Sequence, residues 1–155
     1  MKLEILKPAP TFVLESDEGE ISLSDLTGQN VVLYFYPKDD TPGCTIEAQD
    51  FTKRIKDFEK QNCVVLGISK DTVKSHCKFV EKYNLAFNLL SDIEGEVCEK
   101  YGVLKEKSMF GKKYFGIERS TFLIDKYGNI ANIWRSVKVN GHVEEVLKTL
   151  SKLEK

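Results

Sequence analysis

One cysteine of this chain stands where a thiolate anion would be stabilised. Cys44 follows Thr41-Pro42-Gly43, which joins an apolar run to a helical pattern. Proline is favoured at the first helical position, so Cys44 is expected in the first turn of the helix. Unpaired backbone N–H groups and the helix dipole favour an anion there, and the thiolate is the nucleophilic form of cysteine. The position predicts a nucleophilic cysteine at the carboxyl end of a strand, where open α/β sheets bind ligands.

The same four residues also permit an interpretation without chemistry. Thr41 can serve as the helix N-cap and Pro42 as the first helical residue, while Gly43 eases the turn. The two interpretations agree on Pro42 and Gly43. They differ on the Thr41 hydroxyl and the Cys44 sulfur, and the sequence pattern leaves both open.

The other three cysteines, Cys63, Cys77 and Cys98, form no recognisable motif with Cys44. No two of the four are closer than 14 positions, so a CxxC pair is absent. The spacing excludes the usual zinc patterns and the thioredoxin-type dithiol. A disulfide framework is not expected in a chain that can build its own core, so most of these cysteines are predicted to be buried thiols.

Composition limits the class of protein. The 155 residues are 41% hydrophobic, and 23 basic residues are balanced by 24 acidic ones. A near-neutral chain lacks the electrostatic signature of proteins that bind nucleic acid or anionic membranes, so neither partner is expected. No apolar run approaches the roughly 18 residues that span a bilayer, and the first residues do not resemble a secretory signal. We expect one cytoplasmic domain covering residues 1–155.

Strand and helix patterns alternate along the chain and predict a layered α/β domain. An apolar run at 31–36 and another at 63–68 are typical of strands buried on both faces. A hairpin signal at 126–128 makes the sheet mixed rather than parallel. Further strands are predicted at 11–14, 20–23, 87–90, 121–125 and 129–134, helices at 41–61, 72–84, 94–101 and 143–153, and a basic loop at 105–118.

Three segments resemble the peroxiredoxins. Pro37 followed by Thr41-Pro42-Gly43-Cys44-Thr45 resembles the family's Pro-x-x-x-Thr-x-x-Cys signature, and residues 41–48 resemble the form found in the bacterioferritin comigratory protein group, also called peroxiredoxin Q. Residues 114–125 resemble the segment that carries the family's active-site arginine, and 134–142 resemble its C-terminal signature. The resemblance implies a thioredoxin-like three-layer α/β/α domain with a mixed central sheet and an N-terminal β extension.

The resemblance also implies a reaction. Cys44 would be the peroxidatic nucleophile of a thiol peroxidase, attacking hydrogen peroxide or an organic hydroperoxide and becoming a sulfenic acid. Arg119 would hold the thiolate and the peroxide together, because its guanidinium is always charged and offers several N–H donors. The Thr41 hydroxyl and the backbone N–H groups of Gly43 and Cys44 would supply further contacts. Pro37 would shield the sulfur from water.

Glu47 lies three residues after Cys44 on the same predicted helix face. We expect it to orient Arg119, while a solvated glutamate with no role is the alternative.

The cysteine that resolves the sulfenic acid is less clear from the pattern. Many members of the group carry it five residues after the peroxidatic one, and that position here is Gln49. Others place it on the following helix, which makes Cys77 the leading candidate. The alternative for Cys77 is core packing on a helix face shared with Val73 and Val80. If no cysteine resolves, the enzyme has a one-cysteine cycle and an external thiol recycles it. Cys63 and Cys98 are expected to be core thiols.

Partners follow from the resemblance. We expect a thioredoxin-type dithiol reductant, a peroxide substrate, a monomeric state, and no metal, heme, flavin or nicotinamide. The two histidines, His76 and His142, form no metal-binding pattern with the cysteines, and His142 is expected to be structural. Two rival functions remain: a peroxide-sensing interaction protein, and a thiol–disulfide oxidoreductase, against which the missing CxxC argues.

Overall fold

The computed structural model describes residues 4–153 and contains nine strands and five α-helices in that range. A single 3₁₀ turn, Leu23–Leu26, follows the second strand. The strands and helices occur in the order β1 (Val13–Ser16), β2 (Gly19–Ser22), β3 (Asn30–Phe35), α1 (Pro42–Lys53), α2 (Ile55–Lys60), β4 (Cys63–Ser69), α3 (Val73–Tyr83), β5 (Asn88–Ser91), α4 (Glu96–Lys100), β6 (Leu104–Met109), β7 (Lys112–Ile117), β8 (Ser120–Ile124), β9 (Ile130–Trp134) and α5 (His142–Ser151).

Seven strands form one mixed sheet in the order β2-β1-β5-β4-β3-β8-β9. β3, β4 and β5 are parallel, whereas β8 and β9 on one side and β1 and β2 on the other join antiparallel. β1 and β2 are the predicted N-terminal extension. β3 is buried on both faces, as its apolar run predicts.

The side chains of β3, and of Tyr36 directly after it, alternate between two cores. Val32, Tyr34 and Tyr36 pack with α1, α2, α3 and α5 on one face, and Val31, Leu33 and Phe35 pack with α4 and the N-terminal segment on the other. This gives helix, sheet and helix layers, and the predicted three-layer α/β/α architecture is confirmed. In residues 4–153, no helix is long and apolar enough to cross a bilayer.

Segment 105–118 is a hairpin, so the prediction of a loop there is wrong. β6 and β7 pair antiparallel from Leu104 and Ile117 to Met109 and Lys112. Phe110 and Gly111 form the turn with φ of 52° and 79°, the left-handed values that two-residue hairpin turns require. Most side chains of both strands are exposed, so the alternation of apolar and polar residues that reveals a half-buried strand is missing.

Two helical predictions also change. The helix expected over 41–61 is two helices, separated at Arg54, whose φ of −108° and ψ of 10° depart from helical values. In α3 the buried residues are His76 and Phe79, while Cys77 is exposed. The exposure of Cys77 rules out the alternative that it packs in the core. A helical period defines faces but does not decide which one meets the sheet.

Candidate active site

The candidate site is built on the junction between β3 and α1. Thr41 is the N-cap in extended conformation and Pro42 begins the helix. The first backbone bond of the helix runs from the Thr45 N–H to the Thr41 carbonyl at 2.8 Å. The N–H groups of Gly43 and Cys44 precede that bond, so the helix itself supplies them with no acceptor. They are available to an anion or to a polarised oxygen at this end of the sheet.

The Thr41 hydroxyl does not cap the helix. It donates to the Lys38 carbonyl at 2.8 Å, so its oxygen lone pairs stay free to accept a hydrogen bond. Thr41 therefore occupies the N-cap position, as the interpretation without chemistry predicts. Its side chain, however, does not bond to the N–H groups of the helix.

Three side chains of the site meet although they are far apart in sequence. Arg119, just before β8, donates from Nη1 to Glu47 Oε1 at 2.7 Å, and its Nη2 lies 3.5 Å from Cys44 Sγ. Cys44 is 1% exposed, Glu47 is fully buried, and the Arg119 side chain is 17% exposed. One guanidinium therefore bridges the thiol and the carboxylate at the edge of the core.

Gly43 makes this approach possible. A Cβ atom at position 43 would lie 3.1 Å from Arg119 Nη2 and 3.8 Å from its Cζ. The first distance is tighter than ordinary van der Waals contact, so any larger residue would push the guanidinium away from the sulfur. Gly43 is needed for close packing as well as for the turn.

Burial sets the charge state of the carboxylate. Desolvation raises the pKa of Glu47 to about 7, against the opposing charge and hydrogen bond of Arg119. Desolvation lowers the pKa of Arg119, but the charges of Glu47 and Cys44 outweigh it and the pKa rises above its ordinary value. The guanidinium therefore stays charged beside the sulfur. Glu47 Oε2 has no hydrogen-bond partner among the described residues.

Tyr34 of β3 adjoins this group and was not singled out by the sequence, because it lies within an apolar run. Its ring stacks on Phe51 at 4.7 Å between centroids. Desolvation, then the charges of Glu47 and Cys44, raise its pKa well above the ordinary value. Its hydroxyl, like Glu47 Oε2, lacks a hydrogen-bond partner in residues 4–153. It supplies a neutral, apolar wall on the inner side of the site.

A second buried polar group lies where the loop between β3 and α1 meets α3. Sequence reasoning missed this group. Asp39 accepts hydrogen bonds from Tyr36, Ser75 and His76 at 2.6, 2.7 and 2.7 Å. Desolvation, then the charge of Tyr34, raises the pKa of Tyr36 well above its ordinary value, so its hydroxyl remains a donor. The only signal in the sequence is an Asp pair between a strand and a helix, and nothing there indicates a partner.

Asp39, Asp71 and His76 place three potential metal-ligand atoms within 4.8 Å of one another. Those atoms already bond internally. Asp71 Oδ2 accepts the Asp39 backbone N–H at 2.8 Å and the Ser69 hydroxyl at 2.7 Å. Each of the three side chains therefore already has hydrogen-bond partners within the protein.

The other three cysteines and Pro37 differ in their exposure. All four cysteines are free, and Cys77 Sγ lies 3.7 Å from the Asp17 carbonyl, in the turn between β1 and β2. Cys63 and Cys98 are buried, and desolvation raises the pKa of Cys63 to about 12. Pro37 is exposed at the start of the loop.

His142, the first residue of α5, is buried against Phe51 and Trp134 with Nε2 2.8 Å from the Thr121 hydroxyl. Desolvation, reinforced by the nearby Arg119 charge, lowers the pKa of His142 to about 4, although Glu145 opposes the shift. The ring is therefore neutral near pH 7 and acts as part of the packing under the site.

Comparison with known proteins gives consistent matches over the length of the chain. Residues 5–133 match the model of the AhpC/TSA family. The chain is 58% identical over 151 residues to a bcp peroxiredoxin of Coxiella burnetii, covering 97% of this chain and 100% of that protein. It is 52% identical to peroxiredoxin Bcp of Bacillus subtilis, covering 97% and 96%.

A solved structure agrees with these sequence matches. The bacterioferritin comigratory protein of Xanthomonas campestris, studied for its alkyl peroxide reduction activity, superposes with a TM-score of 0.89 at 44% identity and covers 96% of each chain.

Proposed function

Because this chain belongs to the AhpC/TSA family, as a peroxiredoxin of the Bcp or peroxiredoxin Q group, we propose that Cys44 is its peroxidatic nucleophile and that the enzyme reduces hydrogen peroxide and organic hydroperoxides. The observation that carries the proposal is the Arg119 guanidinium, which lies 3.5 Å from the Cys44 sulfur and is bonded to Glu47. A cysteine buried only for packing does not need a desolvated cation beside it.

The chemical step moves negative charge away from the sulfur. The Cys44 thiolate attacks one peroxide oxygen, so an S–O bond forms as the O–O bond breaks. Sulfur is oxidised to a sulfenic acid, and the other oxygen leaves as hydroxide or alkoxide and takes a proton to become water or an alcohol. Fixed donors along that path lower the barrier because they need no reorganisation. Arg119 is placed to contact both the sulfur and the transferred oxygen.

The N-terminal turn of α1 supplies the other contacts. The free N–H groups of Gly43 and Cys44 point out of the helix and can donate to the peroxide. The Thr41 hydroxyl, whose proton is held by the Lys38 carbonyl, can accept the peroxide O–H. We assign to Pro37 the exclusion of water from the sulfur, and to Glu47 the orientation of Arg119 through its 2.7 Å bond.

Regeneration is proposed to use Cys77. Its thiol is exposed and can meet a second protein, whereas Cys63 and Cys98 are buried. Attack of the Cys77 thiolate on the sulfenic sulfur forms the disulfide as the S–O bond breaks, and the departing hydroxide takes a proton to become water; a dithiol of the thioredoxin type then reduces the disulfide. A one-cysteine cycle is the alternative. A monomeric, cytoplasmic enzyme completes the proposal and rests on the family resemblance.

The substrate proposal draws on the Xanthomonas campestris relative, whose structures address alkyl peroxide reduction. We propose that alkyl hydroperoxides are substrates here as well. The alkyl group of such a substrate would extend towards solvent beside the part of the Arg119 side chain that is exposed.

One equivalent of peroxide added to the reduced enzyme, followed by peptide mass mapping without reductant, tests the assignment. A bridge between Cys44 and Cys77 is expected, and an oxidised Cys44 with no bridge would establish the one-cysteine cycle instead. Cys44→Ser should abolish peroxide consumption, while Cys63→Ser serves as the matched buried control and should keep it. Turnover that survives Cys44→Ser would refute the assignment. A single oxidation without turnover, even with a dithiol reductant, would favour the peroxide sensor.

A further inference from the structure

The loop that leads into Cys44 is fastened to α3 at one buried carboxylate. Asp39 has a side chain that is 4% exposed, and each of its oxygens accepts a short hydrogen bond. One donor, Tyr36, directly follows β3, whereas Ser75 and His76 belong to the first turn of α3. We call these four residues, Asp39 with Tyr36, Ser75 and His76, the Asp39 clamp.

His76 extends the clamp into the sheet. Its fully buried ring places Nε2 3.0 Å from the Leu90 carbonyl of β5 and Nδ1 2.7 Å from Asp39. A carbonyl oxygen only accepts, so Nε2 carries a proton and donates it. The Nδ1 contact with the carboxylate therefore holds a proton of its own, shared between His76 and Asp39. This is a buried, charge-assisted bond, the strongest kind of side-chain hydrogen bond.

The clamp acts on Cys44 through a short piece of backbone. Asp40 follows Asp39 in the left-handed region, with φ of 57°, and Thr41 is the N-cap residue of α1. Cys44 lies in the first turn of that helix. A shift of the loop therefore moves the N–H groups of Gly43 and Cys44 relative to Arg119, which is fixed from the other side of the site by Glu47.

The same clamp holds α3 in place, and α3 carries Cys77 directly after His76. Cys44 is buried and Cys77 Sγ is directed at the Asp17 carbonyl, so the two sulfurs do not meet in this conformation. A disulfide needs sulfurs about 2 Å apart and Cα atoms within roughly 7 Å. The start of α1, the start of α3, or both must leave their present positions before that bond forms.

We propose that the Asp39 clamp positions both halves of the catalytic cycle: while closed it holds the first turn of α1 for attack on peroxide, and it opens before Cys77 reaches Cys44. The second half rests on the proposed resolving role of Cys77. Asp39 and His76 are positioning residues, because they touch neither sulfur.

Opposite effects on two rates distinguish this role from a general structural one. Asp39→Asn keeps the shape and a neutral hydrogen bond to His76 but removes the charge-assisted bond. In a Cys77→Ser background, trapping of the sulfenic acid by dimedone should show Cys44 oxidation slowed by roughly 5- to 10-fold. With Cys77 present, disulfide formation from the sulfenic acid should become faster by a similar factor, because the open conformation is more populated.

Ser75→Ala is the milder second variant. It removes one donor to Asp39 at a half-buried helix position where alanine favours the helix, so the protein should fold normally. The two rates should change in the same directions by about 2- to 3-fold.

Asp40→Asn is the matched control. Asp40 is next in the loop and also reaches α3, bonding Lys82 and Tyr83 at 2.8 and 2.7 Å, but it is 43% exposed in its side chain. Exposed ion pairs stabilise little, so both rates should stay within about 2-fold of the parent.

The proposal is overturned if Asp39→Asn slows both steps or changes neither, or if Asp40→Asn has the same effects as Asp39→Asn. Hydrogen exchange supplies a readout without chemistry: residues 37–45 and 73–83 should exchange faster in Asp39→Asn, while α5 should not. If peptide mapping finds no Cys44–Cys77 bridge in the unmodified enzyme, the resolving assignment fails with the second half of this proposal. The first half is then still decided by the dimedone rate and by exchange.

Discussion

Glu47→Gln should make the protein more stable at alkaline pH while making it a slower peroxidase. Glu47 is fully buried, its pKa is raised from 4.5 to about 7, and only one of its two oxygens is bonded within residues 4–153. The folded state therefore binds the Glu47 proton more tightly than the unfolded chain does. This contribution to stability is complete below pH 4.5 and is lost as the pH rises to about 7.

The magnitude follows from the two pKa values. At about 1.4 kcal/mol per pH unit, the change from 4.5 to about 7 corresponds to about 3 kcal/mol of folding free energy lost on ionisation. Glutamine has no charge to desolvate, and its amide oxygen can still accept from Arg119. The free energy of unfolding of Glu47→Gln, minus that of the parent, should therefore increase by about 2.5 kcal/mol between pH 5 and pH 8, since part of the change already occurs below pH 5.

Urea unfolding of both proteins at four pH values measures this difference. Subtracting the two curves cancels the titration of other groups, including His142, whose lowered pKa gives a dependence of opposite sign in the same range. Glu59→Gln, which removes an exposed charge on α2, is the matched control and should show little pH-dependent difference. A difference that stays constant from pH 5 to pH 8, or that decreases, would refute the reasoning. Stopped-flow oxidation should show the variant slower, because a neutral amide holds the guanidinium less firmly.

Three further outcomes are expected. Gly43→Ala should slow oxidation by about 10-fold in stopped-flow assays while retaining the helical circular dichroism signal, because its Cβ would lie 3.1 Å from Arg119 Nη2. Burial lowers the pKa of His142 to about 4, so the parent should lose about 3 kcal/mol of unfolding free energy as the pH falls from 6.5 towards 4. His142→Gln has no ring to protonate and should not show this loss. Urea unfolding of both proteins at pH 4 and pH 7 measures the difference. Cys63→Ala and Cys98→Ala should each keep peroxide turnover within about 2-fold in a coupled assay, because burial raises the pKa of both thiols and keeps them neutral.

The choice of Cys44 as the proposed nucleophile and the order of the elements both follow from the local sequence. Cys44 follows a buried strand and a Thr-Pro-Gly helix start. Such signals involve only a few neighbouring residues, so they can be recognised without knowing the fold. The apolar runs of β3 and β4 predict central strands for the same reason. The hairpin at 104–117 was missed because exposed strands carry no apolar alternation.

Tertiary structure alone decides what lies beside those residues. Arg119 reaches Cys44, 75 positions away in sequence, because β8 pairs with β3. Gly43 leaves space for the guanidinium. No local sequence pattern encodes either the strand pairing or this close approach. The orientation of α3 is also a tertiary choice: its period defines faces, but the buried bond between His76 and Asp39 turns Cys77 outward. The sequence determines which group can react, and long-range packing determines which charges surround it and what must move before a second thiol arrives.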